Sequence, residues 1–204
     1  MVSGTVRSVD TVQNGGSNTD VFVAELTSRI DTSDVPIVPF PSDTAIAAFG
    51  VGSDLLPYGF TASMGRNTVS GIDVGQSAGT LGGGGALSNT PTFEFTYSST
   101  TGLNSDARLE VGGSGSPTFF DENGTLALVG THSALIAPKL GSYQSIDADL
   151  TRLIDEINST IGSMGSTGFE VTQVPEPAHG GTILACLCGL FVFRHRPRRS
   201  TLDR

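Results

Sequence analysis

The feature that most constrains this chain is Gly112-Gly113-Ser114-Gly115-Ser116-Pro117, with the segment that follows it. Five small residues and a terminal proline cannot continue a helix, so the run forms a tight loop. Thr118-Phe119-Phe120 then reads as a strand, Asp121-Glu122-Asn123-Gly124 as a hairpin turn, and Leu126–Thr131 as the returning strand. The hairpin turn lacks the alternating carboxylates and distal Glu of a calcium loop. Other short apolar runs recur between Gly, Asn, Ser and Asp turns: Val2–Val6, Val21–Leu26, Ala45–Val51, Thr68–Val74 and Thr92–Thr96. The pattern implies an all-β barrel or sandwich. One helix is expected over Ile146–Ile161, because Leu150, Leu153, Ile154, Ile157 and Ile161 recur at helical spacing. Asp147 or Asp149 is placed to cap it.

Charge separates the chain into two parts. Residues 1–177 hold six Lys/Arg against 19 Asp/Glu, a net of −13. Such a surface excludes nucleic acid as a partner, since phosphate binding needs clustered cations. Residues 178–204 hold five Arg and one Asp, a net of +4. Between them lies an apolar run, residues 182–193, ending at Arg194-His195-Arg196-Pro197-Arg198-Arg199. It is shorter than the roughly 20 residues of a full membrane span, so a transient span is expected, with the arginines left on the cytoplasmic side. The two cysteines, Cys186 and Cys188, both fall in this run. Their spacing there suits neither a disulfide nor a zinc site. Leu81–Ala86 is Gly-rich but lacks the Lys-Ser/Thr of a phosphate cradle. No metal and no cofactor is expected.

The loop and its hairpin resemble the nucleophile region of trypsin-like serine peptidases, written G-D-S-G-[GS]-P and followed by V-G-x-x-S. Asn18–Leu26 is similar to that family's D-[IL]-A-L strand, Val35–Phe40 to its V-x-P-I-x-L-P segment, and Ala47–Gly52 to the strand that opens its second barrel. The four occur in the family's order over roughly residues 15–162. The resemblance implies a double β-barrel closed by a C-terminal helix. It assigns Ser114 as nucleophile, Asp20 as triad aspartate, and the N–H groups of Gly112 and Ser114 as the oxyanion hole. Gly113 departs from the family's usual Asp, which argues against zymogen-type activation. Ser133 matches the family's Ser beside the triad aspartate, which implies that it lines the substrate cleft. His132 and Arg108 match pocket positions, where glutamyl endopeptidases of this superfamily use a His, so an acidic substrate side chain is expected.

The family's general base, a His in an A-A-H-C-like motif, has no counterpart. None of the 19 residues before Asp20 is His, and His132, His179 and His195 all come later. The expectation is a first barrel lacking its N-terminal part, from a chain beginning at an internal Met. The alternative is a pseudopeptidase that keeps the barrel as a non-catalytic surface module. A generic β-rich envelope protein is a third reading.

Pro175-Glu176-Pro177, the apolar run and the arginines together resemble a PEP-CTERM sorting signal, the C-terminal tag of Gram-negative envelope proteins. That resemblance implies export to the envelope or cell surface and removal of the tail by an exosortase. The expected organisation is a peptidase domain over 1–162, a linker over 163–173 and the sorting signal over 174–204.

Overall fold

Two hairpins are dictated by their turns. In the first, β1 (Val6–Asn14) and β2 (Ser17–Leu26) meet at Gly15-Gly16, with φ of 59° and 81°. In the second, β7 (Pro117–Glu122) and β8 (Thr125–Ile136) meet at Asn123-Gly124, with φ of 54° and 87°. Two consecutive left-handed residues twist a turn as its strands twist, and Gly and Asn adopt them at least cost. Asp121 Oδ1 accepts the Gly124 N–H at 2.7 Å and fixes the second turn. These elements belong to a computed structural model that describes residues 5–28, 30, 37–58, 64–73, 89–98, 107, 112–136, 142–165 and 170–176. The chain divides into one compact unit, Met1–Val174, and a second, Pro175–Arg204.

The first unit is mostly β. Beside the β1–β2 hairpin it holds a seven-stranded antiparallel sheet, curled into a half-barrel. The remaining strands are β3 (Asp54–Pro57), β4 (Asn67–Thr68), β5 (Gly71–Ile72), β6 (Thr92–Ser98) and β9 (Ser142–Asp149), and the order is β4-β3-β7-β8-β9-β6-β5. The outer strands β4 and β5 are neighbours in the chain, joined by Val69-Ser70. Val69 N–H donates to the Ser53 carbonyl at 2.9 Å and Ser70 N–H to the Glu94 carbonyl at 2.8 Å. One short segment thus stitches both ends of the sheet.

Leu55, Val69, Phe93, Phe95 and Val129 form one buried cluster, from strands on opposite sides of the curl. Val12, Val21, Phe40, Ala148, Leu150, Leu153 and Ile157 form the other. It joins the β1–β2 hairpin to the sheet through helix α2 (Ile154–Ser163). Asp155 and Glu156 lie in the first turn of α2, where they complement the helix dipole.

Several elements differ from those expected. Ala45–Val51 is not a strand: α1 (Asp43–Ala48) occupies it, capped by Ser42, whose hydroxyl accepts the Ala45 N–H at 3.2 Å. The expected Ile146–Ile161 helix is three elements. Residues through Asp149 complete β9, Leu150–Arg152 form a 3-10 turn, and only then does α2 begin. Asp149 does cap, but it caps the 3-10 turn, accepting the Thr151 N–H at 3.1 Å. Residues read as linker also pack: Phe40 N–H donates to the Thr172 carbonyl at 2.6 Å and Val174 N–H to the Phe40 carbonyl at 2.7 Å. The apolar run 182–193 lies outside the described residues. Among the described residues no helix is long and apolar enough to cross a membrane.

Candidate functional site: the Ser114 loop and the buried His132 cluster

The loop before β7 takes its shape from glycine. Gly112 has φ 92° and Gly115 φ 81°, so two left-handed residues flank the exposed Ser114. Gly113 between them is buried, and its carbonyl accepts the Ser116 N–H at 3.0 Å, closing a tight turn. Among the described residues, no hydrogen bond engages the N–H of Gly112, the N–H of Ser114 or the Ser114 hydroxyl. The exposed tip therefore presents a hydroxyl and uncommitted backbone donors, the combination an acyl-transfer site requires.

The second half of the loop is clamped. Gly115 N–H donates to the His132 carbonyl at 2.9 Å, and His132 N–H donates to the Ser116 carbonyl at 2.9 Å. This exchange carries the β7–β8 ladder into the loop. Pro117 joins β3 as well, its carbonyl accepting the Tyr58 N–H at 3.0 Å.

The His132 side chain points into the curl and is 4% exposed. Its Nδ1 lies 2.9 Å from Asp147 Oδ1, and its Nε2 lies 3.1 Å from the Tyr58 carbonyl oxygen. A carbonyl only accepts, so Nε2 carries a hydrogen. The Thr118 hydroxyl donates to Asp147 Oδ2 through a short bond. Thr118, His132 and Asp147 sit on β7, β8 and β9, three adjacent strands. His132 and Asp147 are directly opposite in register. Just after that pair the register slips by one residue, at Ser133, leaving a bulge in β8.

The expected site residues divide accordingly. Ser114, Gly112, His132 and Ser133 come together around the start of β7 and the middle of β8. Asp20 is half-buried on β2, its N–H donating to Thr90 Oγ1 at 2.8 Å. Among the described residues no hydrogen bond joins it to the Ser114 loop. Arg108 and Pro177 lie outside the described residues, as do His179 and His195. Pro175 and Glu176 are exposed and lie in the second unit. His132 was expected to face substrate, yet both its ring nitrogens are already engaged, one by Asp147 and the other by the Tyr58 carbonyl.

Thr118, Asp147 and Tyr58 were missed by sequence reasoning. One signal was available for Asp147: an acid alternating with Ile146 and Ala148 in a strand with both faces covered. A cleft of about 480 Å³ opens elsewhere, lined by Asp54, Arg66, Asn67, Phe120, Asp121 and Gly124 among others, and shares no lining residue with the Ser114 loop. No protein-family model matches the chain, and no curated protein matches it either.

Proposed function

We propose that the first unit is the nucleophile-bearing part of an exported serine endopeptidase. Ser114 Oγ attacks the peptide carbonyl while the N–H groups of Gly112 and Ser114 receive the oxyanion. The C–N bond then breaks, the amine leaves with a proton from the general base, and water releases the acyl group. The observation that carries this reading is the loop itself: an exposed serine between two left-handed glycines, beside backbone N–H groups with no other partner among the described residues.

The base in this mechanism is an imidazole oriented by Asp20. His132 cannot fill that role, because it is buried and held by Asp147 and Tyr58. A longer chain with a His in an A-A-H-type motif upstream of residue 1 would complete the triad. The chain of 204 residues is therefore expected to be nearly inert toward peptides. The engaged His132 equally favours a second reading, a non-catalytic module built on the same sheet.

The test is covalent labelling. A fluorophosphonate probe should modify Ser114 in a folded, N-terminally extended chain, and Ser114→Ala should abolish the adduct. A folded extended chain that the probe leaves unmodified would sink the peptidase reading and leave the binding module.

The tail reading is separate. Residues 174–204 act as a sorting signal, with Pro175-Glu176-Pro177 recognised by an exosortase-type enzyme and the apolar run held in the membrane during processing. Its support is the order of motif, apolar run and arginines in the sequence. Intact mass of envelope-located protein should show loss of Arg194–Arg204; a mature chain that keeps them rules the reading out.

A further inference from the structure

We propose that Asp147 is a positioning residue: through His132 it fixes the Gly112–Pro117 loop, and Thr118 fixes Asp147 in turn. The inference rests on the peptidase reading only for its catalytic consequence; its structural content stands apart.

The bonds run outward from Asp147. Its side chain is fully buried, and its two oxygens are taken by His132 Nδ1 and the Thr118 hydroxyl. The ring is then held at its far end by the Tyr58 carbonyl at 3.1 Å. With both nitrogens engaged, the imidazole has one orientation, and χ1 and χ2 of His132 are fixed. The backbone of the same residue makes both bonds to the loop, at Gly115 and Ser116. Tyr58 closes the circuit, since its N–H holds Pro117 while its carbonyl holds the ring. The bulge at Ser133 makes the clamp necessary: β8 leaves regular pairing immediately after His132, so the side-chain cluster replaces ladder bonds that the bulge removes.

A purely packing role would be met by any apolar residue of similar volume at position 147. A positioning role is met only by a group that satisfies Nδ1. Asp147→Asn is such a group. Its amide donates to Nδ1 of a neutral ring still hydrogen-bonded to Tyr58, while its oxygen accepts the Thr118 hydroxyl. Asp147→Ala and Asp147→Leu leave Nδ1 only the Thr118 hydroxyl, 3.4 Å away.

Amide hydrogen exchange reads the outcome on the chain as it is. In Asp147→Ala, the Gly115 and His132 amides should exchange about tenfold faster than in the wild type, as expected when one charge-assisted bond is lost. Amides of the β1–β2 hairpin should stay within about twofold, and Asp147→Asn should restore the loop amides to within about threefold. If Asp147→Ala does not fold, Thr118→Val replaces it and should raise the same two amides by a smaller factor. A uniform rise across both hairpins, or no rescue by Asn, overturns the proposal. In an extended, active chain, Asp147→Ala should lower kcat with KM little changed, and Asp147→Asn should recover it. If Ser114 resists the probe but the exchange pattern holds, the peptidase reading fails and the positioning role stands.

Discussion

His132 Nδ1 lies 2.9 Å from Asp147 Oδ1, and neither side chain reaches solvent. A pair so placed gains little over apolar residues of the same shape, but it is costly to break. His132→Ala leaves a buried carboxylate with only the Thr118 hydroxyl. It should destabilise the first unit by about 3–5 kcal/mol. Asp147→Ala leaves His132 Nδ1 only the Thr118 hydroxyl, 3.4 Å away, and should cost less, about 1–2 kcal/mol, and the double variant about 1 kcal/mol less than the two combined. Urea unfolding of the four proteins gives the coupling directly. Strict additivity would show that the two side chains do not act as a pair.

Gly115 and Gly124 separate loop function from backbone strain. Both have left-handed φ, 81° and 87°, and a Cβ at either meets no atom within 4 Å. An alanine at either site therefore adds only conformational strain, about 1–2 kcal/mol. Gly115→Ala should also move the Ser114 tip and slow probe labelling of an extended chain by an order of magnitude or more. Gly124→Ala, at the far end of the same hairpin, should match it in stability and label at the wild-type rate. Equal labelling by both variants would detach the loop's conformation from its chemistry.

The 117–136 hairpin was legible because each of its signals is local. A glycine loop, two apolar runs and an Asn-Gly turn specify it without reference to the rest of the chain. The segment 142–161 misled because a helical spacing that is real from Leu150 onward was extended backwards into a strand. Ser145, Asp147 and Asp149 are polar residues whose burial only the neighbouring strands create. Ala45–Val51 misled in the opposite sense, since Ser42 and Asp43 form a helix start that outweighs the apolar run behind them. The site shows the same split. Ser114 and its glycines announce themselves in sequence. The His132–Asp147–Thr118 cluster does not, because strand pairing, not chain proximity, brings those residues together.

Gly130 is explained by packing. A Cβ at this position would lie 2.6 Å from Phe93 Cζ and 3.0 Å from the Ala148 carbonyl oxygen. The ring is fully buried and meets Phe49 edge-on, with centroids 5.4 Å apart. Gly130→Ala should cost about 1–3 kcal/mol by overpacking. Phe93→Leu should be partly compensated by Gly130→Ala in the double variant, because the smaller side chain vacates the space the methyl needs. Thermal unfolding reads the compensation, and its absence would mean that the carbonyl contact, not the ring, sets the requirement for glycine.

Glu94 gives the pH dependence its sign. It lies on β6, almost wholly buried, and its Oε2 has no hydrogen-bond partner. Burial pushes its carboxyl above the ordinary value of 4.5. A carboxyl that holds its proton more tightly folded than unfolded adds stability below the unfolded value, and that contribution is lost as pH rises through the folded value. Glu94 therefore favours the fold in acid and weighs against it toward neutrality. Asp149 is shifted in the same direction, chiefly by burial, although Thr151 and Arg152 pull it back. Its contribution cancels when two chains that both carry it are compared. Glu94→Gln keeps the shape of the side chain and removes the charge. At pH 7 it should be more stable than the wild type by about 1 kcal/mol, the scale of one unsatisfied buried polar group. The difference should shrink steadily as the pH is lowered toward 4. Urea unfolding of the two proteins across that range is the measurement, and a difference that does not change with pH would show that the ionised carboxylate is not its source.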